Sequence, residues 1–443
     1  MAEAAVQVGK RAAYPAYKPS GVEWLGDIPQ HWDVRRLKCV ASINDEALSE
    51  TTDPNYEFNY VDIGNVDAAK GIVATETCRF EDAPSRARRI VRDGDTIVST
   101  VRTYLRAIAP ISGTDSHLIV STGFAVVRPR NVYAGYLAYA LRAPFFVDTV
   151  VSRSTGVSYP AINAPEVGNI GVTIPPLPEQ RAIAAFLDRE TARIDGLIAK
   201  KQRQIELLQE KRAALISHAV TKGLDPTAPM KDSGIEWLGE IPAHWTVRRL
   251  KHAVFIRGGQ VDPKNDEYGC MALIAPNHIE SGTGRISSLE TAEEQGAISG
   301  KYLFRKGDVL YSKIRPELTK ACVAPQDGLC SADMYAIVAR RGVLPTFVLY
   351  LLLSEAFTKL AVDESMRVAM PKINREDLGE IRWPFPPVTE QTEIVSRIDA
   401  QIRPIDLLLE RIQASIYRLR EYRTALISAA VTGKIDVREE GII

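Results

Sequence analysis

Two stretches of the chain carry apolar residues at helical spacing over an unusual length. From Glu179 to about Val220 they fall at Ile183, Leu187, Ile194, Leu197, Ile198, Ile205, Leu208, Leu215 and Ile216. The intervals are mostly three, four or seven, the pattern of one long amphipathic helix with coiled-coil spacing. Pro175-Pro176-Leu177-Pro178 precedes it and Gly223 with Pro226 follows, which supply a start and a stop. Roughly 44 helical residues make a rod of ~66 Å, too long to pack inside one small domain. A shift of 211 residues lays this stretch on a second one ending near Val431, placing Ile183 on Ile394, Leu187 on Ile398, Ile194 on Ile405, Leu197 on Leu408, Ile205 on Ile416, Leu208 on Leu419 and Leu215 on Leu426. The two stripes are expected to pair with each other as antiparallel helices. Pro404 stands where the first copy has Arg193, and a proline inside a helix predicts a kink or local break there.

Ahead of each helix the pattern shortens to β-like runs broken by turn signals. Tyr60–Ile63, Thr96–Ser99 and Phe124–Val127 read as strands, Arg92-Asp93-Gly94-Asp95 as a turn, and Tyr133–Leu141 as a helix. This predicts an α+β domain with a mainly antiparallel sheet, and it too is written twice. Ser20–Lys38 (SGVEWLGDIPQHWDVRRLK) and Ser233–Lys251 (SGIEWLGEIPAHWTVRRLK) are identical at 15 of 19 positions, 213 residues apart. Gly94-Asp95 recurs as Gly307-Asp308, Pro160-Ala161-Ile162-Asn163 as Pro371-Lys372-Ile373-Asn374, and Pro-Pro-x-x-Glu-Gln at 175–180 and 386–391. A whole domain has been duplicated. The expected organisation is a loose tail over 1–13, a first domain over 14–175, a long helix over 176–221, a second domain over 227–385 and a second long helix over 386–434.

Composition changes little in this picture. The chain has 443 residues, 45% hydrophobic and 25% charged, as in ordinary globular proteins. No apolar run approaches the ~20 residues of a membrane span, so no membrane role is expected. Five cysteines without a CxxC spacing argue for a reducing, cytoplasmic setting and against a disulfide framework or zinc site. The 55 basic residues balance 55 acidic ones, which leaves a phosphate-binding face to come from local patches.

Motifs for catalysis are missing: no phosphate loop, no GxGxxG after a strand, no HExxH, no GxSxG and no Asn/Asp-Pro-Pro-aromatic tetrapeptide. The histidines His31 and His244 belong to the repeated His-Trp pair and read as structural. No catalytic or metal-ligating residue is assigned. Basic groups are more informative: Arg35, Arg36 and Lys38 recur as Arg248, Arg249 and Lys251, Arg86, Arg88 and Arg89 cluster, Arg102 and Arg106 flank Tyr104, and Lys313 and Arg315 hold the corresponding place. Recurring basic residues beside Tyr and Ser suit phosphate and base contacts. The loop before each Pro-x-Ile-Asn keeps its frame but changes its side chains, from Arg153–Tyr159 to Glu364–Met370, as two readers of different sequences would, and as unconstrained surface drift would too.

These blocks resemble the specificity subunit of Type I restriction–modification enzymes: Glu-Trp-Leu-Gly with Ile-Pro-x-His-Trp, Gly-Asp before a strand ending in Ser, and Pro-Pro-x-x-Glu-Gln opening a long helix. The resemblance runs from about Tyr14 to Ile435. It implies two tandem target-recognition domains, each followed by a long α-helix, the helices pairing as an antiparallel coiled coil with pseudo-two-fold symmetry. It implies a non-catalytic subunit that binds double-stranded DNA, each domain reading half of a gapped target. Methyltransferase subunits, expected in two copies, would dock on it and supply S-adenosylmethionine for adenine methylation, and motor–nuclease subunits would join for cleavage. By analogy the DNA contacts are Arg102, Tyr104, Ser154, Thr155, Ser158 and Tyr159 in the first domain, and Lys313, Arg315, Arg367 and Lys372 in the second. The competing reading is a two-domain protein-interaction adaptor without DNA binding.

Overall fold

The computed structural model describes residues 11–113, 117–365 and 371–439; most of the tail expected over 1–13 lies outside them. The chain forms two compact units, Met1–Lys200 with Ala414–Ile443, and Lys201–Gln413. Each long helix, Leu177–Lys222 and Val388–Val431, therefore gives one half to each unit.

In the first unit two four-stranded sheets face each other. One has the order Ile108–Pro110, Thr96–Ser99, Phe124–Pro129, Ala41–Ile43, and is antiparallel throughout. The other runs Glu76–Arg79, Glu57–Val61, Leu118–Ser121, Ala87–Ile90, with its central pair parallel. Alternation along the strands of the first of these sheets gives each of its two faces a core. Ile97 and Val126 point between the sheets, beside Val61 and Val120. Their neighbours Val98 and Val127 point the other way, onto Tyr136, Leu137, Phe146 and the long helices. The second unit repeats the plan: Leu310 and Ala336 lie between the sheets, while Val309, Tyr311 and Ile337 face the helices. The reading of one helix at Tyr133–Leu141 was incomplete, because Ala134–Arg142 is followed by helices Pro144–Ser152 and Ala164–Gly168. The β-branched run after Phe146 hid the former; Pro144 at its start and burial of Phe146, Val147 and Val150 decide for helix.

The long helices pair antiparallel inside each unit. In the first, Ile183, Ala184, Leu187 and Ile194 share a core with Leu426, Ile427, Ala430 and Val431. In the second, Ile216, Ala219 and Val220 share one with Ile394, Ile398 and Ile402. Matching ion pairs cross between the helices, Asp195 to Arg423 and Asp406 to Arg212, each at 3.0 Å. Ile205, Ile405 and Ile416 are buried, and Leu208, Leu215 and Leu419 partly so. Leu197 and Leu408 are not in the seam; they are 38% and 44% exposed. After Ile194 the seam continues at the i+4 position, Ile198, which packs on the core, and Leu197 at i+3 falls on the other edge of the stripe. Of the kink or local break expected at Pro404, the break is absent, since the helix runs through it. Pro404 and Ala400, four residues earlier, are exposed, so the carbonyl deprived of its partner is left on the solvent side.

The repeated opening block seats each domain on its helix. Glu179 accepts hydrogen bonds from the Trp32 indole at 3.0 Å and the Tyr14 hydroxyl at 2.5 Å, and contacts His31 Nε2 at 2.8 Å. Gln180 accepts from the Tyr133 backbone N–H and donates to the Pro175 carbonyl. In the second copy Glu390 receives Trp245 at 3.0 Å and His244 at 2.7 Å, and Gln391 binds Leu344 N–H and the Pro386 carbonyl. Glu-Gln thus ties the first helical turn to the domain in front of it.

Candidate nucleic-acid interface

Both domains build the same strained turn after the strand that follows Gly-Asp. In the first, Gly94 takes φ +86° and the Asp95 carboxylate accepts the Arg92 N–H, which starts the strand Thr96–Ser99. At its end the Ser99 hydroxyl donates to the Val101 carbonyl. Arg102 then adopts φ +50°, a 3₁₀ turn spans Thr103–Leu105, and Arg106 closes it at φ +53°. Left-handed backbone is disfavoured for arginine, yet the second domain reproduces it with Arg315 at +47°, a turn over Pro316–Leu318 and Thr319 at +46°.

The Pro-x-Ile-Asn loop braces this turn. In the first domain Val101 bridges to Ala161, and Thr155 and Ala161 exchange backbone hydrogen bonds of 2.9 Å. The loop thus closed holds Val157, Ser158 and Tyr159 in solvent. The Arg102 guanidinium sits over the Tyr159 ring at 5.0 Å, and Tyr104 and Tyr159 are 54% and 64% exposed. Arg102, Thr155, Ser158 and Tyr159 are therefore brought onto one turn-and-loop unit whose turn also carries Tyr104. Ser154 differs: its hydroxyl donates to the Val150 carbonyl and meets the Thr103 hydroxyl at 2.8 Å, which makes it a brace for the loop.

In the second domain Ile314 bridges to Lys372, Arg315 N–H donates to the Pro371 carbonyl, and Ile373 N–H to the Lys313 carbonyl. Arg315 and Lys372 are exposed, while the Lys313 ammonium lies 5.3 Å from the Tyr335 ring centre. Arg367 lies outside the described residues. Position 104 becomes Glu317, so the frame persists while the presented side chain changes from phenol to carboxylate.

Several of the other basic groups singled out by the sequence are engaged within the fold. Arg86 pairs with Asp62 at 2.9 Å, Arg88 lies over Phe80, Arg35 pairs with Asp33, and Arg249 and Lys251 both reach Glu380. Sequence reading missed the partner that steadies each Gly-Asp. Asp95 is held by Arg128 and Asp308 by Arg257, both through two nitrogens. The two arginines come from different strand positions, so the repeat gave no signal. Of the cysteines, Cys322 and Cys330 are buried, which pushes both thiols up to about 12 and leaves them inert. Among the described residues no group of His, Cys, Asp and Glu side chains gathers to hold a metal ion, and no single helix is long and apolar enough to cross a membrane.

Comparison with known proteins adds a family. The Type I restriction modification DNA specificity domain matches residues 29–207 and again 242–418. The EcoDI specificity subunit of Escherichia coli is 30% identical over 325 residues, 70% of this chain and 72% of that one. A specificity subunit of Methanocaldococcus jannaschii assigned to MjaX is 24% identical over 438 residues, 94% and 96% of the two chains. A solved chain, from work on assembly and conformational transition of the type I R-M system, shares the fold with a TM-score of 0.69 at 24% identity, covering 91% of this chain and 98% of its own.

Proposed function

Since the chain belongs to the Type I restriction modification DNA specificity family, we propose that it directs a methyltransferase complex to a gapped DNA target, each unit reading one half. The observation that carries this reading is the twin turn. A costly left-handed arginine, braced by the same loop, stands at Arg102 and Arg315, on a frame whose exposed Tyr104 in one copy becomes Glu317 in the other. Strain kept at a surface arginine twice over fits a site that aims a guanidinium at a guanine edge or a phosphate. Exposed Tyr104 and Tyr159 offer hydroxyls and flat rings beside it.

In this reading the paired helices of 46 and 44 residues fix the distance between half-sites and offer docking length to two methyltransferase subunits. Those partners bring S-adenosylmethionine and the adenine chemistry, and motor–nuclease subunits complete the restriction complex. This chain contributes recognition and geometry. The test is adenine-methylation mapping in cells carrying the cognate methyltransferase with and without the chain. A two-part gapped motif that appears only with the chain is expected. Unchanged methylation from a complex that assembles would sink the reading and leave the adaptor.

A further inference from the structure

A buried arginine on the first long helix connects the helix pair of the second unit to its reading turn. Arg212 is 5% exposed. Its guanidinium holds Asp406 of the second long helix at 3.0 Å and donates to the backbone carbonyls of Gly282 and, at 2.9 Å, Thr283. The N–H of Gly282 donates to the carbonyl of Thr319 at 3.0 Å, and Thr319 is the left-handed residue that closes the turn carrying Arg315. Gly282 itself has φ +70°. Gly282 and Thr283 lie in a hairpin closed by the Ile279–Ile286 bridge. The remaining Asp406 oxygen takes Arg285 from this hairpin at 3.0 Å, and Arg285 also reaches Glu410 at 2.6 Å. An unbroken path of charge-assisted and backbone hydrogen bonds thus runs from helix to hairpin to turn.

The first unit supplies an internal comparison. At the matching positions Arg423 pairs with Asp195, and Gly282 and Thr319 are replaced by Ala69 and Arg106. Instead of a filled seam there is a cleft of about 250 Å³ lined by Ala68, Ala69, Arg106, Arg142 and Arg423. The second reading turn is anchored to its helix pair through this arginine, whereas in the first a cleft lies among Ala69, Arg106 and Arg423, and Arg106 pairs instead with Asp148 of the helix Pro144–Ser152 at 2.9 Å.

We infer that Arg212 is a positioning residue for DNA recognition, setting the Arg315 turn and hence discrimination in one half-site only. This rests on the proposed reading role. The test uses the assembled methyltransferase complex and methylation mapping, with Arg315→Ala marking which half the second domain reads. Arg212→Gln should let methylation at single-mismatch sites in that half rise by about tenfold, the loss of one well-placed base contact. The other half should stay as strict as in the unaltered chain, and Arg423→Gln should loosen neither. If Arg212→Gln does not yield a folded chain, Arg212→Lys decides, since it keeps the buried charge but cannot span both carbonyls and Asp406 with a fork. Wild-type discrimination in a folded Arg212 variant, or equal loosening of both halves, overturns the inference. Failure of Arg315→Ala to affect either half would instead overturn the reading role beneath it.

Discussion

Arg102 and Arg315 spend their working lives in a conformation that costs on the order of 1–2 kcal/mol for a side chain with a Cβ. Glycine has no such cost, so the two ways of removing the guanidinium separate strain from function. Arg102→Gly should be more stable than Arg102→Ala by about 1 kcal/mol in chemical denaturation, and the same order should hold at Arg315. Both substitutions at a position should weaken DNA binding alike. Where the arginine meets a phosphate, the salt dependence of binding should flatten by about one unit of slope; where it meets a base, discrimination at that position should fall by about 1–3 kcal/mol. Titrations at several salt concentrations tell these apart, and equal stability of the Gly and Ala variants would refute the strain. The sequence could show that an arginine recurs here, but nothing in residue order signals a positive φ at a residue other than glycine. For the same reason Ser154 looked like a reader: its hydroxyl chemistry is visible in sequence and its engagement by Val150 and Thr103 is not.

At the scale of the element, the opening block and the helix start form one device, and the two copies differ in a way that predicts their strength. Glu179 is 6% exposed at its side chain and accepts from both Trp32 and Tyr14, whereas Glu390 is 23% exposed and accepts from Trp245. Removing the acceptor leaves donors buried, at a cost of about 1–3 kcal/mol for each. Glu179→Ala should therefore destabilise its unit by more than Glu390→Ala destabilises the other. Hydrogen exchange, which resolves the units separately, should show the larger loss of protection in the Thr96–Ser99 and Phe124–Pro129 strands for the first variant. The reverse order would mean that Tyr14 contributes nothing to the clamp. Much of this level was legible: both long helices, the strands around Gly-Asp and the structural character of the His-Trp pair came from period and repetition. The glutamate partner lay about 147 residues away, beyond any local pattern, and Leu197 and Leu408 were misplaced because a stripe of spacings three and four does not by itself say which edge meets the partner. Pro404 shows the opposite limit: a local rule predicted a kink or break, and the helix runs on because the carbonyl left without a partner faces solvent.

For the whole molecule, duplication was the most legible fact and the division of each helix between two units the least. Each unit contains one helix's first half and the other's second half, so the place to lengthen the two helices is where each is divided, after Lys200 and after Gln413. Seven residues inserted there in both helices preserve the apolar phase, since a heptad returns nearly to the same face. At ~1.5 Å per residue the insertion adds about 10.5 Å, equivalent to roughly three base pairs at ~3.4 Å each. If the helices set the gap, the methylated motif should keep both half-sites and gain about three unread positions between them. The same insertion in one helix alone shifts one stripe past the other and should abolish assembly. A doubly lengthened chain that still methylates the original spacing would show that the distance is set by the partner subunits. The half-sites would then still be read by this chain, but the rod would be a platform for docking and not the ruler.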